Sequence, residues 1–563
     1  MTEKMEKRLF LVFFLFIIIA GIIVYRLFYW QIVKSESLKG LSQSQLDRSL
    51  EIKAKRGGIY TSDGSSLVIN MPAFLVFAEP QNIKNREDAI GKLSANLNID
   101  EASISAKLNN NRSKWIPIAD KVDTGPVEKL KNLNLPGIGF VDDSKRFYPE
   151  ASMAAHLLGF VGKDHNGKDQ GYFGLEGYYN DQLKGRSGIL KEEKDALGRL
   201  ILSGSRQVLP SEDGRDLYLH LDKTVQFTIE EKLTEGIQKY GASRGTVIVM
   251  NPYSGAILGM ASLPSYDPST RQQYSEESYK NPAIALSYEP GSTFKTLIMA
   301  AAIDQDSVSP TDEFLESGPV EVGNYTIKTW NNQYHGLIKI PEIIQFSSNV
   351  GMVFIMEKLG QANLISYLER LKLGELTGID LQDEQTPHMR DVNKWYPIDY
   401  ATASFGQGIA ITPLQMIRVS AAIANGGKLV TPYLVDRLED RQGKVIKIKP
   451  HIVSAVFKKE TAGIVTEMMV NAVEKGETKF LKPVGIRIAG KTGTAQIPIA
   501  GHYDTEKTIA SFIGFFPADN PRIIMLVTLT EPTSSPWGSE TAAPLFFNIA
   551  KELISYYNIP AIF

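Results

Sequence analysis

The chain has 563 residues, 43% of them hydrophobic, and 61 Lys plus Arg against 63 Asp plus Glu give a net charge of −2. This length predicts three or four globular domains, and the balanced charge argues against a nucleic-acid-binding protein, which needs a basic surface to neutralise phosphates. The absence of cysteine excludes disulfides, thiolate metal sites and cysteine nucleophiles, and seven scattered histidines argue against a zinc hydrolase.

An apolar segment near the N-terminus predicts a transmembrane helix over residues 9–30. The run from Leu9 to Tyr25 contains no charged residue, and at about 1.5 Å per residue the segment reaches the roughly 30 Å of a bilayer core. Three basic residues precede it: Lys4, Lys7 and Arg8. The positive-inside rule therefore places residues 1–8 in the cytoplasm. A cleaved signal peptide and a buried core helix are the alternatives, but no Ala-x-Ala-like cleavage site lies between Tyr25 and Ser35.

Residues 31–220 are predicted to form an extracytoplasmic domain of mixed α/β structure. Residues 31–55 are polar with helical character, and residues 56–64 are typical of two turns flanking a short strand. A polar loop is expected at residues 109–112. No segment of this region has a catalytic pattern of its own, so we expect it to act as a spacer or pedestal.

Residues 221–563 show a stronger globular pattern. Apolar residues at i+4 spacing between Val225 and Ile237 predict an amphipathic helix, and the C-terminal tail predicts another. Apolar strands are predicted at residues 245–250, 256–262, 511–516 and 523–529, in two hairpins. There is no βαβ rhythm and no G-x-G-x-x-G motif, so the sequence predicts an antiparallel sheet flanked by helices rather than a nucleotide-binding α/β fold.

The segment from Glu289 to Lys295 is the first with catalytic potential. Pro290 and Gly291 break the preceding chain, so Ser292 is predicted at a helix N-terminus with Lys295 one turn on. A serine nucleophile needs a base within about 3 Å, and a desolvated lysine can have its pKa lowered enough to serve. The alternative is a capping serine followed by an exposed lysine, because Ser-x-x-Lys occurs roughly twice by chance in a chain of this length.

A second segment, Ser347-Ser348-Asn349, follows an apolar run with helical character. Ser347 can relay a proton, and the Asn349 amide offers both a donor and an acceptor to a peptide substrate. The pattern is weak evidence by itself, because Ser94-Ala95-Asn96 has the same form without an evident role.

A third segment, Lys491-Thr492-Gly493-Thr494, follows a strand-like stretch at residues 486–489. A lysine on an edge strand can bind a carboxylate, Thr492 adds a hydroxyl, and Gly493 leaves room for a close backbone approach. The alternative interpretation is a plain Lys-Thr-Gly turn.

Ser-x-x-Lys, Ser-x-Asn and Lys-Thr-Gly in this order resemble the signature set of penicillin-binding proteins and serine β-lactamases. With the N-terminal anchor, the chain resembles a class B penicillin-binding protein over nearly its whole length. Other segments similar to the family are residues 56–60, 146–149, 174–177, 405–408 and 542–544. Within the class, Glu289 before Pro290, Ser347–Gly351 and Ala155–Gly162 favour the FtsI-like septal branch over the elongation branch.

The resemblance implies an α+β fold: a transmembrane helix at 9–30, a pedestal of dimerisation-domain type at 31–220, and a serine β-lactamase-like transpeptidase domain at 221–563. It also implies a peptidoglycan D,D-transpeptidase without a cofactor. Ser292 attacks the penultimate D-Ala carbonyl of a stem peptide and releases the terminal D-Ala, and the amine of a second stem takes the acyl group. Lys295 is the base.

The remaining site residues receive their roles from the same resemblance. Ser347 passes the proton to the leaving amine, Asn349 holds the donor amide, and Lys491 with Thr492 binds the donor carboxylate. Gly493 belongs to the same strand motif, and backbone N–H groups of Ser292 and Thr494 form the oxyanion hole.

The expected partners are peptidoglycan stem peptides, β-lactams, the lipid bilayer, a SEDS-family glycosyltransferase and divisome membrane proteins, with no nucleic acid. The expected location is the bacterial cell (inner) membrane, single-pass, with the catalytic domain outside. An elongation-type transpeptidase, a D,D-carboxypeptidase or β-lactamase-type hydrolase, and a non-catalytic division scaffold remain as alternatives.

Overall fold

The computed structural model describes residues 3–38, 47–109, 113, 115–193, 206–499 and 502–561. Parts of three predicted features lie outside the described residues. They are the start of the cytoplasmic tail, residues 39–46 of the polar segment with helical character, and residues 110–112 of the predicted polar loop. The chain forms two compact units, one of residues 1–55 and 185–214, the other of residues 56–184 and 215–563.

The first unit contains the N-terminal helix. It runs over Glu3–Phe28 and continues into a π-helical turn at Tyr29–Val33. Its most apolar 18-residue window has a mean hydropathy of 2.7, and none of that window is buried in the protein. The helix is therefore long and apolar enough to cross a membrane, and it contains the predicted span at residues 9–30.

The first unit also contains a three-stranded antiparallel sheet. Its strands, in spatial order, are Asp47–Ile52, Gly188–Glu193 and Arg206–Leu209. The central strand follows the pedestal segment in sequence and pairs with strands on both sides. The unit is thus built from two separate stretches of chain.

In the second unit, a mixed sheet joins both sides of the predicted domain boundary at residue 220. The strands before this boundary are Ile59–Tyr60, Ser66–Ala78, Ile116–Val122, Ile138–Phe147 and Asp216–Leu219. The last of these pairs in parallel with Ile59–Tyr60 and antiparallel with Val435–Glu439, which in turn pairs with Val445–Lys447. Strands of the pedestal and of the C-terminal region therefore share one sheet.

Three helices cover the outer part of this sheet: Arg86–Leu97, Glu101–Leu108 and Thr124–Asn132. The first two begin with capping side chains, because Asn85 accepts a hydrogen bond from the Asp88 N–H and Asp100 accepts one from the Ser103 N–H. Their apolar faces pack with the sheet in a small separate core that includes Val76, Leu93, Ile104, Val127 and Leu130.

A buried ion cluster joins three pedestal segments whose sequences are similar to the family's. The Glu176 carboxylate is fully buried, 2.7 Å from Arg56 Nε on one side and 2.7 Å from Arg146 Nε on the other. Burial alone would raise the pKa of Glu176, but Arg146 and Arg56 outweigh burial and hold it below its usual value. Segments 56–60, 146–149 and 174–177 thus meet at one point.

The C-terminal region is built on a five-stranded antiparallel sheet. Its strands, in spatial order, are Ile257–Leu263, Arg244–Met250, Ile523–Thr530, His502–Phe516 and Ala489–Ile499. Both predicted hairpins are confirmed by the antiparallel pairing. The strand Ala489–Ile499, which carries the Lys-Thr-Gly motif, lies at the edge of the sheet.

Helices cover both faces of this sheet, as the sequence predicts. Alternate residues of one strand enter different cores: Val247 and Val249 pack with the terminal helices, whereas Ile248 and Met250 pack with the central helices. The terminal pair is Lys223–Tyr240 and Ala542–Tyr556. Because both faces are buried, this strand is continuously apolar rather than alternating.

The remaining elements complete the helical side and the connections. The central helices are Pro282–Ala285, Lys295–Asp304, Ile340–Gln345, Asn349–Leu359, Gln361–Arg370, Pro397–Ala403, Pro413–Ala424 and Lys459–Lys475. Short strand pairs are Glu313–Glu316 with Gly336–Lys339, Val320–Val322 with Tyr325–Ile327, Lys428–Val430 with Ile452–Ala455, and Phe160–Lys163 with Asp169–Tyr172. Short helices at Ala155–Leu158, Gly174–Tyr178 and Asn180–Leu183 belong to the pedestal.

Candidate active site

Ser292 lies in a tight turn that leads into a helix buried along its whole length. The turn is a 3-10 helix over Gly291–Thr293, and the α-helix begins at Lys295. The Thr293 hydroxyl donates to the Pro290 carbonyl at 2.7 Å, and the Phe294 N–H donates to the Gly291 carbonyl at 2.9 Å. The helix then starts three residues after the serine, so Ser292 is held at its N-terminal end, as predicted.

A second backbone segment fixes this turn from behind. The Gly291 N–H donates to the carbonyl of Gly406 at 3.1 Å. Gly406 has φ = +77°, and a Cβ there would lie 2.3 Å from the Gly291 carbonyl oxygen. Only glycine allows this approach, which gives the Phe405–Gly408 segment a physical role next to the serine.

Lys295 is fully buried, and its ammonium group contacts the Ser-x-Asn motif. Its Nζ donates to the Ser347 carbonyl at 2.6 Å and to Asn349 Oδ1 at 2.7 Å, with Ser347 Oγ at 3.4 Å. Burial lowers the pKa of Lys295 well below 10.5, and the positive charge of Lys491 lowers it further. Between described residues, no hydrogen bond joins Lys295 to Ser292, so its direct reach to the serine stays a prediction.

The Ser-x-Asn motif forms the turn that starts helix Asn349–Leu359. Ser347 has φ = +56°, a left-handed conformation uncommon for a residue with a side chain. The Ser348 hydroxyl caps the helix by accepting the Gly351 N–H at 2.8 Å, and the Asn349 side-chain amide donates to the Lys328 carbonyl at 3.0 Å. The middle residue therefore helps to orient Ser347 and Asn349, which both line a cavity.

A fully buried carboxylate holds this turn in place. Glu316 accepts a short hydrogen bond from the Ser348 hydroxyl and a 3.0 Å bond from the His335 N–H. The Nδ1 atom of His335 lies 2.6 Å from the same carboxylate. The His335 ring also stacks on Phe346 at 4.0 Å, one residue before Ser347. Glu316 and His335 thus brace the turn from two sides.

The Lys-Thr-Gly motif runs along the serine turn on the edge strand. A Cβ at Gly493 would lie 2.8 Å from the Thr293 side chain and 3.1 Å from the Pro290 carbonyl. The side chain of Thr494 accepts the Gly538 N–H at 2.9 Å. The absence of a side chain at Gly493 lets the strand approach the turn that contains Ser292.

One cavity of about 80 Å³ brings the predicted residues together. Five of them line it: Ser292, Ser347, Asn349, Thr492 and Thr494. Its remaining lining is formed by Gly291, Trp330, Phe405, Gln407, Glu477, Trp537 and Ser539. Segments almost 250 residues apart in sequence therefore form a single site. Lys295 does not line the cavity but contacts the lining residues Ser347 and Asn349, and Gly493 lies between the lining residues Thr492 and Thr494.

Lys491 lies in a smaller adjoining cavity rather than in the lining of the first. This second cavity shares Thr492 and Glu477 with the first. Lys491 is 3% exposed, and its Nζ lies 3.1 Å from Thr492 Oγ1. Burial lowers the pKa of Lys491 to about 8, against an opposing effect of the Glu477 charge. Below that pH it is a cation adjacent to the cavity that contains Ser292.

Several lining residues were not found by sequence reasoning. Trp330 and Trp537 form an edge-to-face pair with ring centroids 5.0 Å apart at the cavity wall. Glu477 belongs to a turn after a long helix, and Glu316 and His335 support the site from behind. None of these lies in a short motif, so the local sequence carried no signal that could have identified them.

Two family models match the chain. The model described as the penicillin binding protein transpeptidase domain matches residues 245–551, and the model of the penicillin-binding protein dimerisation domain matches residues 51–219. The first match contains every predicted site residue. Together the two matches extend over most of the chain.

Relatives and solved structures agree with these matches. Stage V sporulation protein D of Bacillus subtilis is 35% identical over 96% of this chain and 84% of its own length. A peptidoglycan D,D-transpeptidase FtsI homolog of Mesostigma viride is 31% identical over 98% of this chain and 96% of its own. In fold, penicillin binding protein 2X of Streptococcus thermophilus has a TM-score of 0.75 at 24% identity, covering 90% of this chain and 80% of its own.

The buried lysine at the serine turn, the capped Ser-x-Asn turn and the edge-strand Lys-Thr-Gly motif lie in one site within the matched transpeptidase region. The pedestal lies within the matched dimerisation region. The chain belongs to the class B penicillin-binding proteins.

Proposed function

We propose that this penicillin-binding protein is a peptidoglycan D,D-transpeptidase that acts through Ser292. The observation that carries the proposal is the environment of Lys295. Its Nζ is fully buried and contacts Ser347 and Asn349, which line the same cavity as Ser292. A lysine with a pKa lowered by burial is neutral in a larger fraction of molecules, and only the neutral amine can accept a proton from a serine.

In the acylation step, Ser292 Oγ attacks the penultimate D-Ala carbonyl while Lys295 takes its proton. The C–N bond to the terminal D-Ala breaks, and Ser347 passes the proton from Lys295 to the departing amine. The 3.4 Å separation between Lys295 Nζ and Ser347 Oγ supports this route. An ester between the donor peptide and Ser292 results.

The oxyanion and the donor carboxylate need their own partners. We assign the oxyanion to the backbone N–H groups of Ser292 and Thr494, which belong to two segments in van der Waals contact. We assign the donor carboxylate to Thr492 and to Lys491, which is cationic below a pKa of about 8. Asn349 holds the donor amide. β-Lactams, which resemble the D-Ala-D-Ala terminus, are expected to acylate the same serine.

In the second step, the neutral amine of a neighbouring stem peptide attacks the ester carbonyl and forms a new amide bond. The C–O bond to Ser292 breaks, and a proton from the amine returns through Lys295 to Ser292 Oγ. A D,D-carboxypeptidase or a β-lactamase would give the acyl group to water instead. The same site residues support transfer of the acyl group to an amine and to water, so analysis of the products is needed to distinguish the two reactions.

We place the reaction at the outer face of a bacterial cell membrane, with the N-terminal helix as the single anchor. The basic residues Lys4, Lys7 and Arg8 support a cytoplasmic N-terminus through the positive-inside rule. We propose a septal role, supported by the similarity to FtsI and sporulation proteins, with a SEDS-family glycosyltransferase and divisome membrane proteins as partners. An elongation role is the alternative.

A product assay tests the proposed reaction. The full chain in detergent micelles is incubated with a donor peptide ending in D-Ala-D-Ala, with and without an acceptor amine, beside Ser292→Ala. A transpeptidase releases D-Ala and forms a new amide to the acceptor, and Ser292→Ala forms neither. Release of D-Ala with only hydrolysed donor, whatever the amine concentration, would identify a hydrolase and contradict the proposal. No release by the folded wild type would favour a scaffold.

A further inference from the structure

Glu477 lies at the active site in a turn that packs behind the Ser-x-Asn motif. The turn follows helix Lys459–Lys475, and the Gly476 N–H donates to the Ala472 carbonyl at 3.1 Å. A Cβ on Gly476 would lie 3.2 Å from the carbonyl oxygen of Gln345, two residues before Ser347. Close packing against the end of helix Ile340–Gln345 therefore fixes the position of the next residue, Glu477.

The Glu477 carboxylate is accessible at the junction of the two cavities. It lines the first cavity together with Ser292 and Ser347, and the second together with Lys491. The residue is exposed, and it forms no hydrogen bond or ion pair with any other described residue. Glu474, one turn earlier, instead pairs with Lys482 at 3.5 Å.

Among the charged groups near the two cavities, Glu477 is the carboxylate that a substrate can reach. Lys295 and Lys491 are buried, and the Glu477 charge opposes the lowering of both their pKa values. The other nearby carboxylate, Glu316, is fully buried and accepts hydrogen bonds from Ser348 and His335. Among the described residues that line the two cavities, Glu477 is therefore the only acidic residue.

The chemistry of the second half-reaction gives this anion a use. An amine acceptor is protonated in neutral water, so it arrives as a cation. By microscopic reversibility, the attacking amine enters where the leaving amine departed. On the proposed mechanism the departing amine takes its proton from Ser347, and the carboxylate next to that amine binds Lys491 and Thr492. Glu477 lines the two cavities to which these residues belong.

We propose that Glu477 binds the ammonium group of the acceptor and forms the acceptor subsite of the transpeptidase. The inference rests on the proposed function of Ser292. The binding step changes no carbon bond: the carboxylate attracts the cation to the acyl-enzyme and excludes a second anion from the same place. The bound ammonium then loses one proton to solvent, because only the neutral amine has the lone pair that attacks the ester. The ligand class is a primary amine of a peptide side chain or peptide terminus, and the site discriminates in favour of amines over water and alcohols.

The test measures how the acyl-enzyme partitions between acceptors. The full chain in detergent is acylated with a D-alanyl thioester in the presence of D-alaninamide, and the ratio of amide product to hydrolysed product is measured. Glu477→Gln removes the charge at constant shape, and Glu477→Asp keeps the charge. Glu474→Gln removes a charge from the same helix end outside the cavities and serves as the matched control.

The inference predicts that Glu477→Gln lowers the amide-to-acid ratio at least about fivefold at pH 7, whereas Glu474→Gln leaves it unchanged. Glu477→Asp should retain most of the ratio. With methanol as a neutral acceptor, the ester-to-acid ratio should be the same in all variants. If Glu477 acts only by changing the pKa of Lys295, attack by water and amine changes together and the ratio stays constant.

A constant ratio in Glu477→Gln, or an equal fall in Glu474→Gln, would overturn the acceptor subsite while leaving the proposed function intact. If the wild type forms an acyl-enzyme but no amide at any D-alaninamide concentration, the transpeptidase proposal itself fails, and the subsite with it.

Discussion

The ammonium of Lys295 lies 2.7 Å from the Asn349 side-chain oxygen, so the proposed base and the second motif share a hydrogen bond. The amide oxygen is neutral and holds the lysine without a full opposing charge. Burial can then keep the pKa of Lys295 low. An asparagine at this position therefore serves the base as well as the substrate.

Asn349→Asp tests this relationship. The new carboxylate stabilises the protonated lysine, so the pKa of Lys295 rises and less neutral base is present at pH 7. We expect penicillin acylation at pH 7 to slow by about tenfold or more and its acid limb to move to higher pH. Stopped-flow acylation over a pH series measures both. Asn363→Asp, on an exposed helix surface, is the control, and an unmoved acid limb in Asn349→Asp would contradict the account.

The Glu316 carboxylate braces the Ser-x-Asn turn, so its loss should reduce stability and activity together. Glu316→Ala leaves the buried Ser348 hydroxyl and His335 N–H without their acceptor, which should cost about 2 to 4 kcal/mol of unfolding free energy. Chemical denaturation of the full chain in detergent measures the loss of unfolding free energy, and penicillin labelling measures the rate of acylation. Glu313→Ala, on the exposed part of the same strand, should change neither. Equal effects of the two substitutions would show that Glu316 does not hold the Ser-x-Asn turn in place.

The lowered pKa values of Lys295 and Lys491 predict a bell-shaped pH dependence of acylation. The acid limb reports deprotonation of Lys295, whose pKa lies well below 10.5. The alkaline limb falls near pH 8, because Lys491 has a pKa of about 8 and loses the charge that binds the substrate carboxylate above it. The charge of Glu477 opposes the lowering of both lysine pKa values.

Lys491→Arg tests whether the charge of Lys491 controls the alkaline limb of the pH profile. Arginine stays charged to above pH 12, so the alkaline limb should move up by more than one pH unit, even if the maximal rate falls because the two side chains bind carboxylates differently. The acid limb should stay near its wild-type position, since the charge on residue 491 is retained. An alkaline limb still at pH 8 in the variant would show that another group controls it.

The contact between Gly291 and Gly406 gives a steric prediction. A methyl group at residue 406 would lie 2.3 Å from the Gly291 carbonyl oxygen, so Gly406→Ala must displace the serine turn and should slow acylation by at least about tenfold. Gly443 also has a positive φ, but a Cβ there would have no neighbouring atom within 4 Å. Gly443→Ala therefore carries the same backbone strain without the collision. Matching acylation rates for the two variants would refute the close approach.

Much of the catalytic region could be predicted because its signals are local. The continuous apolar run of strand Arg244–Met250 follows from burial on both faces, and the hairpin turn that follows it is confirmed by the strand pairing. The start of the helix after Ser292 follows from Pro290 and Gly291. Each of these features is set by residues a few positions apart, where periodicity and turn chemistry operate.

The support of the site could not be predicted, because it depends on contacts between distant residues. Glu316 lies 32 residues before Ser348 and belongs to an ordinary short strand, where an acidic residue would be expected to face solvent. Glu477 resembles any charged residue after a helix until the turn packs against Gln345. The sharing of one sheet between the pedestal and the C-terminal region is likewise a long-range pairing of Asp216–Leu219 with Val435–Glu439.

Covalent labelling by a fluorescent penicillin shows whether Ser292 is the nucleophile. The full-length wild type and Ser292→Ala are incubated with the probe in detergent, separated by denaturing electrophoresis, and compared by thermal unfolding to establish that both are folded. We expect a stable label on the wild type and none on Ser292→Ala, because the substitution removes the attacking oxygen atom and leaves the packing unchanged. Equal labelling of the two proteins would contradict it, because the nucleophile would then be another residue.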